Sequence, residues 1–164
     1  LNEVSRHMNI NFIEKKLKLF LNTLKYDFNK NSPKIAVLGL NPHSGENGML
    51  GSEETNKIAP IIKELKNKEN QIEGPFPADS FFGSKKFNNY DGVFSWYHDQ
   101  GLVGFKSFSF ESGVNYTGGL PIIRTSPDHG TAFNISGKGI ANENSLTESI
   151  KLNIKIINQR MFSK

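Results

Sequence analysis

A chain of 164 residues is long enough for one well-buried core, or for one domain with part of another. With 36% hydrophobic and 22% charged residues it has the balance of a soluble globular protein, and nothing in it matches the composition of disorder. The formal charge is +4, yet only Arg6, Arg124 and Arg160 are arginines; because Arg is the usual reader of bases and phosphates, their scarcity argues against a nucleic-acid partner. The absence of cysteine rules out disulfides and thiolate metal sites and fits a reducing, cytoplasmic compartment. No apolar run approaches the roughly 18 residues of a membrane span and no signal peptide is visible, so no membrane partner is expected.

Taken in order, Leu1 leads straight into a helical pattern over Asn2 to Phe28, which suggests a break inside a longer polypeptide. Ile10, Ile13, Leu17, Leu21, Leu24 and Phe28 place an apolar stripe on that helix. Asn31-Ser32-Pro33 ends it. Lys34 to Leu40 reads as a strand covered on both faces, followed by a Gly-rich loop from Asn41 to Gly51. Ser52-Glu53-Glu54 opens a second helix to about Lys68, with acidic residues at its positive end. Asp91 to Trp96 reads as another buried strand. Val114 to Tyr116 and Pro121 to Thr125 follow as further strands, then a loop from Asp128 to Asn142. The last helix opens with a capping box, Ser145-Leu146-Thr147-Glu148, and carries a stripe of Leu146, Ile150, Ile154, Ile157 and Met161. Strand–loop–helix alternation makes the chain α/β, with its polar loops at strand ends, where such folds bind ligands.

His43, His98 and His129 all lie in loops directly after strand-like runs, among Gly, Pro, Asp and Asn; His7 stands apart, near the start of the first helix. Loops at one edge of a sheet converge, so His43 and His98 are candidate neutral imidazole ligands for a divalent metal. Asp99, beside His98, is a candidate outer-shell acceptor or general base. Asp79, in the Pro77-Ala78-Asp79 turn, is a weaker candidate whose alternative is a turn or cap residue. Lys106, Asn115 and Arg124 form a second group, each expected in or beside a short apolar strand. A buried Arg124 would require an anion, such as a substrate phosphate or carboxylate. The glycines form neither G-x-G-x-x-G nor a P-loop, so motifs alone make no Rossmann case.

Gly39-Leu40-Asn41-Pro42-His43-Ser44-Gly45-Glu46, Pro77-Ala78-Asp79, Tyr97-His98-Asp99-Gln100-Gly101 and Asp128-His129-Gly130-Thr131-Ala132 closely resemble the 4-hydroxythreonine-4-phosphate dehydrogenase family of vitamin B6 biosynthesis, in the right order and at the right intervals. The resemblance implies the C-terminal half, residues 1–164, of a two-domain dehydrogenase subunit. It implies an isocitrate/isopropylmalate dehydrogenase-like, non-Rossmann, three-layer α/β/α fold. The implied activity is NAD- or NADP-dependent oxidation of 4-phosphooxy-L-threonine to 2-amino-3-oxo-4-phosphooxybutanoate, which decarboxylates to 3-amino-2-oxopropyl phosphate. One divalent metal (Zn, Mg or Co) is implied, with His43 and His98 similar to two of three ligands. The third would belong to a Thr-His-x-Pro-Leu motif of which Leu1 looks like the last residue. Lys106, Asn115 and Arg124 fall on substrate-contacting positions, and a homodimer with active sites at its interface is implied.

The run from His129 to Asn142 also resembles the adenosine-binding loop of isopropylmalate and isocitrate dehydrogenases, which moves His129 from the metal to the cofactor. It implies backbone contacts from Gly130, Thr131 and Ala132, with Asn134 and Ile135 in the same loop, and an adenine contact from Asn142. NAD-preferring relatives often carry Asp where this chain has Asn134, which lacks the charge that repels a 2′-phosphate; relaxed cofactor choice follows as an expectation. Proton removal is assigned to Asp99 or Lys106. Dehydrogenation of 4-phosphothreonate or 4-phosphoerythronate, and a metal-dependent hydrolase built on His43, His98, Asp79 and Asp99, are the alternatives.

Overall fold

The computed structural model describes residues 3–109, 112–128 and 130–162. They fall into two compact units, Leu1–Gly104 and Phe105–Lys164.

In the first unit the apolar stripe folds as expected but its helix is shorter at the front. A single turn, α1 (Val4–His7), stops at Met8, and α2 (Ile10–Tyr26) begins anew with Asn9 as its cap, the Asn9 side chain accepting from Asn11 N–H at 2.9 Å. Ile13, Leu17, Leu21 and Leu24 are buried, whereas Ile10 faces outward. The strand β1 (Lys34–Leu38) ends before Gly39 and Leu40, and Ile35 to Leu38 are fully buried. Its pleat sends Ile35 and Val37 to one face of the sheet and Ala36 and Leu38 to the other.

The second expected helix is interrupted. Glu54–Ile58 forms a widened turn in which Ala59 N–H donates to the Glu54 carbonyl, and α3 (Ala59–Leu65) follows. Pro60 has no N–H to give to the Asn56 carbonyl, so the regular bond pattern cannot run through this point. The strand β2 (Gln71–Phe76), absent from the sequence reading, pairs parallel with β1. Gly74-Pro75 inside it hides the strand pattern, and it is tolerated because β2 is an edge in the order β2-β1-β3. A short helix, α4 (Ala78–Gly83), follows, and β3 (Gly92–Phe94) pairs parallel with the other side of β1. β3 is only half-buried, and shorter than expected.

Helices α2 and α3, with the widened turn before α3, cover one face of this sheet with Ile13, Leu17, Leu21, Ile58 and Ile61, while Phe81 of α4 covers the other. The unit is therefore three-layered, α/β/α. Because all three strands are parallel, the turns leaving β1, β2 and β3 emerge at one edge, and these carry His43, Asp79 and His98.

Helix α5 (His98–Ser109) crosses from the first unit to the second. It corrects two expectations: His98 opens a helix instead of sitting in a loop, and Lys106 lies on that helix instead of on a strand. Gly101 and Gly104 lower the intrinsic helix preference of this stretch, which hid it. In the second unit β4 (Val114–Tyr116) pairs antiparallel with β5 (Thr125–Pro127), so the second strand starts four residues later than Pro121.

Helix α6 (Asn144–Phe162) packs on that hairpin by an unexpected face. Leu146, Ile150, Ile154, Ile157 and Met161 are 40–65% exposed, and Ser145, Ser149 and Ile156 are buried instead. The inward face sits one residue back from the expected stripe, about 100° around the helix. Polar contacts hold that rotation. Ser145 Oγ donates to the Gly113 carbonyl at 2.6 Å and accepts from Asp128 N–H at 3.0 Å; Asn153 Nδ2 donates to Thr125 Oγ1 at 3.2 Å; Arg160 donates to Tyr116 Oη at 3.1 Å. The helix already includes Asn144, so Ser145 is not its N-cap as the expected capping box requires, and its hydroxyl is turned to the hairpin instead.

The opposite edge of the parallel sheet is held by charge. Asp91 accepts from Lys34 N–H at 2.9 Å and pairs with Lys30 at 2.8 Å, and Tyr90 donates to Glu73 Oε2 at 2.5 Å. The Tyr90 hydroxyl holds the Glu73 carboxyl below its ordinary value of 4.5. A depressed carboxylate contributes stability that is complete above that value and is lost as pH falls through the lowered one. Tyr90→Phe is therefore expected to lower the urea midpoint at pH 7, with a gap to the parent that narrows on acidification below about pH 4.5. A gap that widens on acidification would contradict this.

Candidate functional site

The turn after β1 carries His43 on a left-handed stretch. His43, Ser44, Gly45, Glu46 and Asn47 have φ of 52°, 54°, 80°, 42° and 55°. Four of them are not glycine, and this conformation costs about 1–2 kcal/mol for an ordinary L-residue, less for Asn. Such a run persists only where its surroundings over-determine it.

Those surroundings are built by Glu54, Glu53 and Asn41. Glu54 is 4% exposed, and accepts from Asn41 N–H at 2.7 Å and from Asn41 Nδ2 at 2.9 Å. Asn41 Nδ2 also donates to Glu53 Oε2 at 2.8 Å, and this bond holds the Glu53 carboxyl below its usual range. The turn closes on itself through Ser44 N–H to the Asn41 carbonyl at 3.1 Å and Leu50 N–H to the Gly45 carbonyl at 3.1 Å. Gly45 has to be glycine: a Cβ there would lie 2.7 Å from Glu54 Oε2 on a backbone already at φ 80°. Beside the turn is a cleft of about 590 Å³, lined among others by His43, Ser44, Glu46, Asn47, Glu54 and Pro77.

His98 leaves β3 as the first residue of α5, with its side chain 78% exposed. Its Nδ1 lies 2.8 Å from Asp99 Oδ1. A neutral imidazole that donates Nδ1–H to this carboxylate keeps its lone pair on Nε2. This is the arrangement in which an outer carboxylate orients a metal-binding imidazole. His43 is exposed and bears a second imidazole at the same sheet edge. Two such nitrogens fit a divalent ion that favours imidazole, but among the described residues no three His, Asp or Glu side chains gather to complete a set. Asp79 is exposed in the first turn of α4.

The second-unit candidates are placed differently from expectation. Lys106 is half-buried on α5, 3.7 Å from Asp128 Oδ2. Asn115 is exposed at the centre of β4, paired with Ser126. Arg124 is exposed, not buried, because it precedes β5 and donates to Thr117 Oγ1 at 3.0 Å; the argument that burial demands an anion does not apply. Gly130, Thr131, Ala132 and Asn134 are exposed and Ile135 half-buried, with Ala132 at φ 50° before a single turn at Phe133–Ile135. The Asn142 side chain accepts from Asn144 N–H at 2.9 Å at the head of α6. His129 lies outside the described residues.

Sequence reasoning passed over Gln100, Trp96 and Glu54. Trp96 N–H donates to Gln100 Oε1 at 2.9 Å, Gln100 Nε2 donates to the Gly39 carbonyl at 2.6 Å, and the Trp96 indole N–H donates to the Leu38 carbonyl. The available signal is position: Gln100 stands two residues after His98, and Glu54 sits in an acidic pair that by sequence alone marks only a helix start.

An α/β unit whose parallel sheet delivers two histidines and a left-handed turn to one edge has the layout of a ligand-binding scaffold. Comparison with known proteins supplies the particular family. Residues 1–153 match the family model described as "Pyridoxal phosphate biosynthetic protein PdxA". The 4-hydroxythreonine-4-phosphate dehydrogenase of Bacteroides thetaiotaomicron is 46% identical over 162 residues, covering 99% of this chain and 44% of that protein. The enzyme of the same name from Prosthecochloris aestuarii is 51% identical over 139 residues, covering 85% of this chain and 41% of that protein. A crystal structure of 4-hydroxythreonine-4-phosphate dehydrogenase from Klebsiella pneumoniae superposes with a TM-score of 0.79 at 40% identity, over 95% of this chain and 47% of that one. The chain belongs to the PdxA family, with the α/β fold expected for it. It spans less than half the length of these curated relatives.

The left-handed turn makes a direct prediction. Gly45→Ala in the full-length protein should lower the unfolding free energy by about 1–3 kcal/mol, measured by urea titration. An unchanged midpoint would show that the turn has the other hand.

Proposed function

We propose that residues 1–164 act as the C-terminal half of a two-domain subunit of a metal-dependent 4-hydroxythreonine-4-phosphate dehydrogenase, which oxidises 4-phosphooxy-L-threonine with NAD or NADP. The observation that carries this is the His98–Asp99 pair, 2.8 Å apart, at the sheet edge that also bears His43.

His43 and His98 would hold one divalent ion, and the remaining ligand would come from outside this segment. Imidazole donors suit Zn²⁺ or Co²⁺ better than Mg²⁺. When bound, the metal supplies acidification of the substrate hydroxyl and the nicotinamide supplies a hydride acceptor. Asp99 orients the His98 ring through Nδ1, leaving Nε2 as the ligand atom. Lys106 and Arg124 hold the anionic ends of the substrate, and Asn115 adds an amide contact, so that the reacting carbon is oriented. The proton of the substrate hydroxyl is taken by Asp99 or Lys106. Gly130, Thr131, Ala132, Asn134, Ile135 and Asn142, with His129, form the adenosine-binding loop. Asn134 brings no charge against a 2′-phosphate, which supports use of both cofactors. The 3-amino-2-oxopropyl phosphate formed after decarboxylation feeds vitamin B6 biosynthesis, and the assembly is a cytoplasmic homodimer with active sites at its interface. No helix among the described residues is long and apolar enough to cross a membrane.

The test is a rate assay at 340 nm on the full-length protein with 4-phosphooxy-L-threonine, 4-phosphothreonate and 4-phosphoerythronate, each with NAD and NADP. The first substrate should give the highest kcat/KM, with the two cofactors within about tenfold of one another, a difference near 1.4 kcal/mol. In His98→Ala metal content and turnover should fall together, by more than about 100-fold. Full activity with normal metal content in that variant would overturn the assignment, as would preference for another substrate.

A further inference from the structure

Gly39, the first residue beyond β1, is tied to both neighbouring strands. Its N–H donates to the Phe76 carbonyl at the end of β2, at 2.7 Å. Its carbonyl accepts from Gln100 Nε2 at 2.6 Å, and the same amide accepts Trp96 N–H on Oε1 at 2.9 Å, just past the end of β3. A side chain of this length does both at once as an amide but not as a charged group: a carboxylate has no donor and an ammonium no acceptor. The carbonyl and the N–H leave one orientation of the amide satisfied, so its donor and acceptor ends are fixed by chemistry.

What hangs from these two strand ends is the candidate metal pair. His43 follows Gly39 by four residues and His98 follows Trp96 by two. The His43 turn also leans back on Gly39, where a Cβ would lie 2.7 Å from Ser44 Oγ, and Ser44 Oγ donates to the Pro75 carbonyl at 3.2 Å. The Trp96 indole joins the same two strands independently at Leu38, so the sheet does not depend on Gln100.

We infer that Gln100 is a positioning residue for metal binding, its side-chain amide spanning Gly39 and Trp96 and so setting the spacing of the His43 and His98 imidazoles. This rests on the metal reading proposed above. Ligands displaced by a fraction of an ångström still allow folding but no longer bind the ion well.

The test is a Co²⁺ titration of the metal-free, full-length protein, followed by visible absorption, with thermal unfolding recorded before metal is added. Gln100→Met keeps the length of the side chain without its donor and acceptor, Gln100→Leu removes length as well, and His98→Ala removes a ligand. Both Gln100 variants should bind Co²⁺ about tenfold more weakly or worse, with altered visible bands and little change in metal-free melting. The inference is overturned if Gln100→Met binds with parental affinity and spectrum while His98→Ala does not, and the metal reading then stands. Weakening in Gln100→Leu alone overturns it in favour of packing, and weakening with unchanged bands overturns it in favour of a merely structural role. If His98→Ala itself binds as the parent does, the metal reading fails and the inference fails with it.

Discussion

The peptide of Gly39 is the point on which the first unit's functional edge depends. Its N–H closes onto Phe76 and its carbonyl onto Gln100, so one residue joins the ends of all three parallel strands. A parallel sheet alone only brings its outgoing turns to a common edge. The Gly39 node turns that rough convergence into a defined spacing. It can do so because no side chain intervenes there, which lets the His43 turn fold back against the strand end.

The second constraint is strain held by a buried carboxylate. A left-handed run of five residues would relax if left to itself. Glu54, almost wholly buried yet hydrogen-bonded twice to Asn41, supplies the opposing restraint. Burying a carboxylate is costly unless its oxygens are satisfied, and here the backbone and side chain of a single asparagine satisfy both. The widened turn at Glu54–Ile58, forced by Pro60, lies in the same stretch as that carboxylate. A helix-breaking residue, a buried acid and an exposed histidine thus belong to one local design.

Much of the first unit is legible in the sequence because its signals are periodic. The α2 stripe and the unbroken apolar run of β1 report burial directly, and the Asn-Pro-His turn after β1 marks a strand end with chemistry on it. The rest is governed by contacts distant in sequence. Nothing near Gln71 announces a strand with Gly-Pro inside it. The side chain of Arg124 is exposed because Thr117, seven residues away, offers it a partner. Helix α6 is rotated by about one residue because Ser145, Asn153 and Arg160 find partners on the β4–β5 hairpin, and hydrophobic periodicity cannot register such bonds. The family motifs single out His43, His98 and Asp99, but not Gln100 and Glu54, whose hydrogen bonds tie down the neighbouring strand end and turn.

The most direct measurement is anomalous diffraction at the zinc edge from crystals of the full-length protein loaded with Zn²⁺. A single strong peak within about 2.0–2.1 Å of a ring nitrogen of both His43 and His98 is the predicted result. A peak that touches only one of the two, or a metal bound elsewhere with both imidazoles free, would contradict the account.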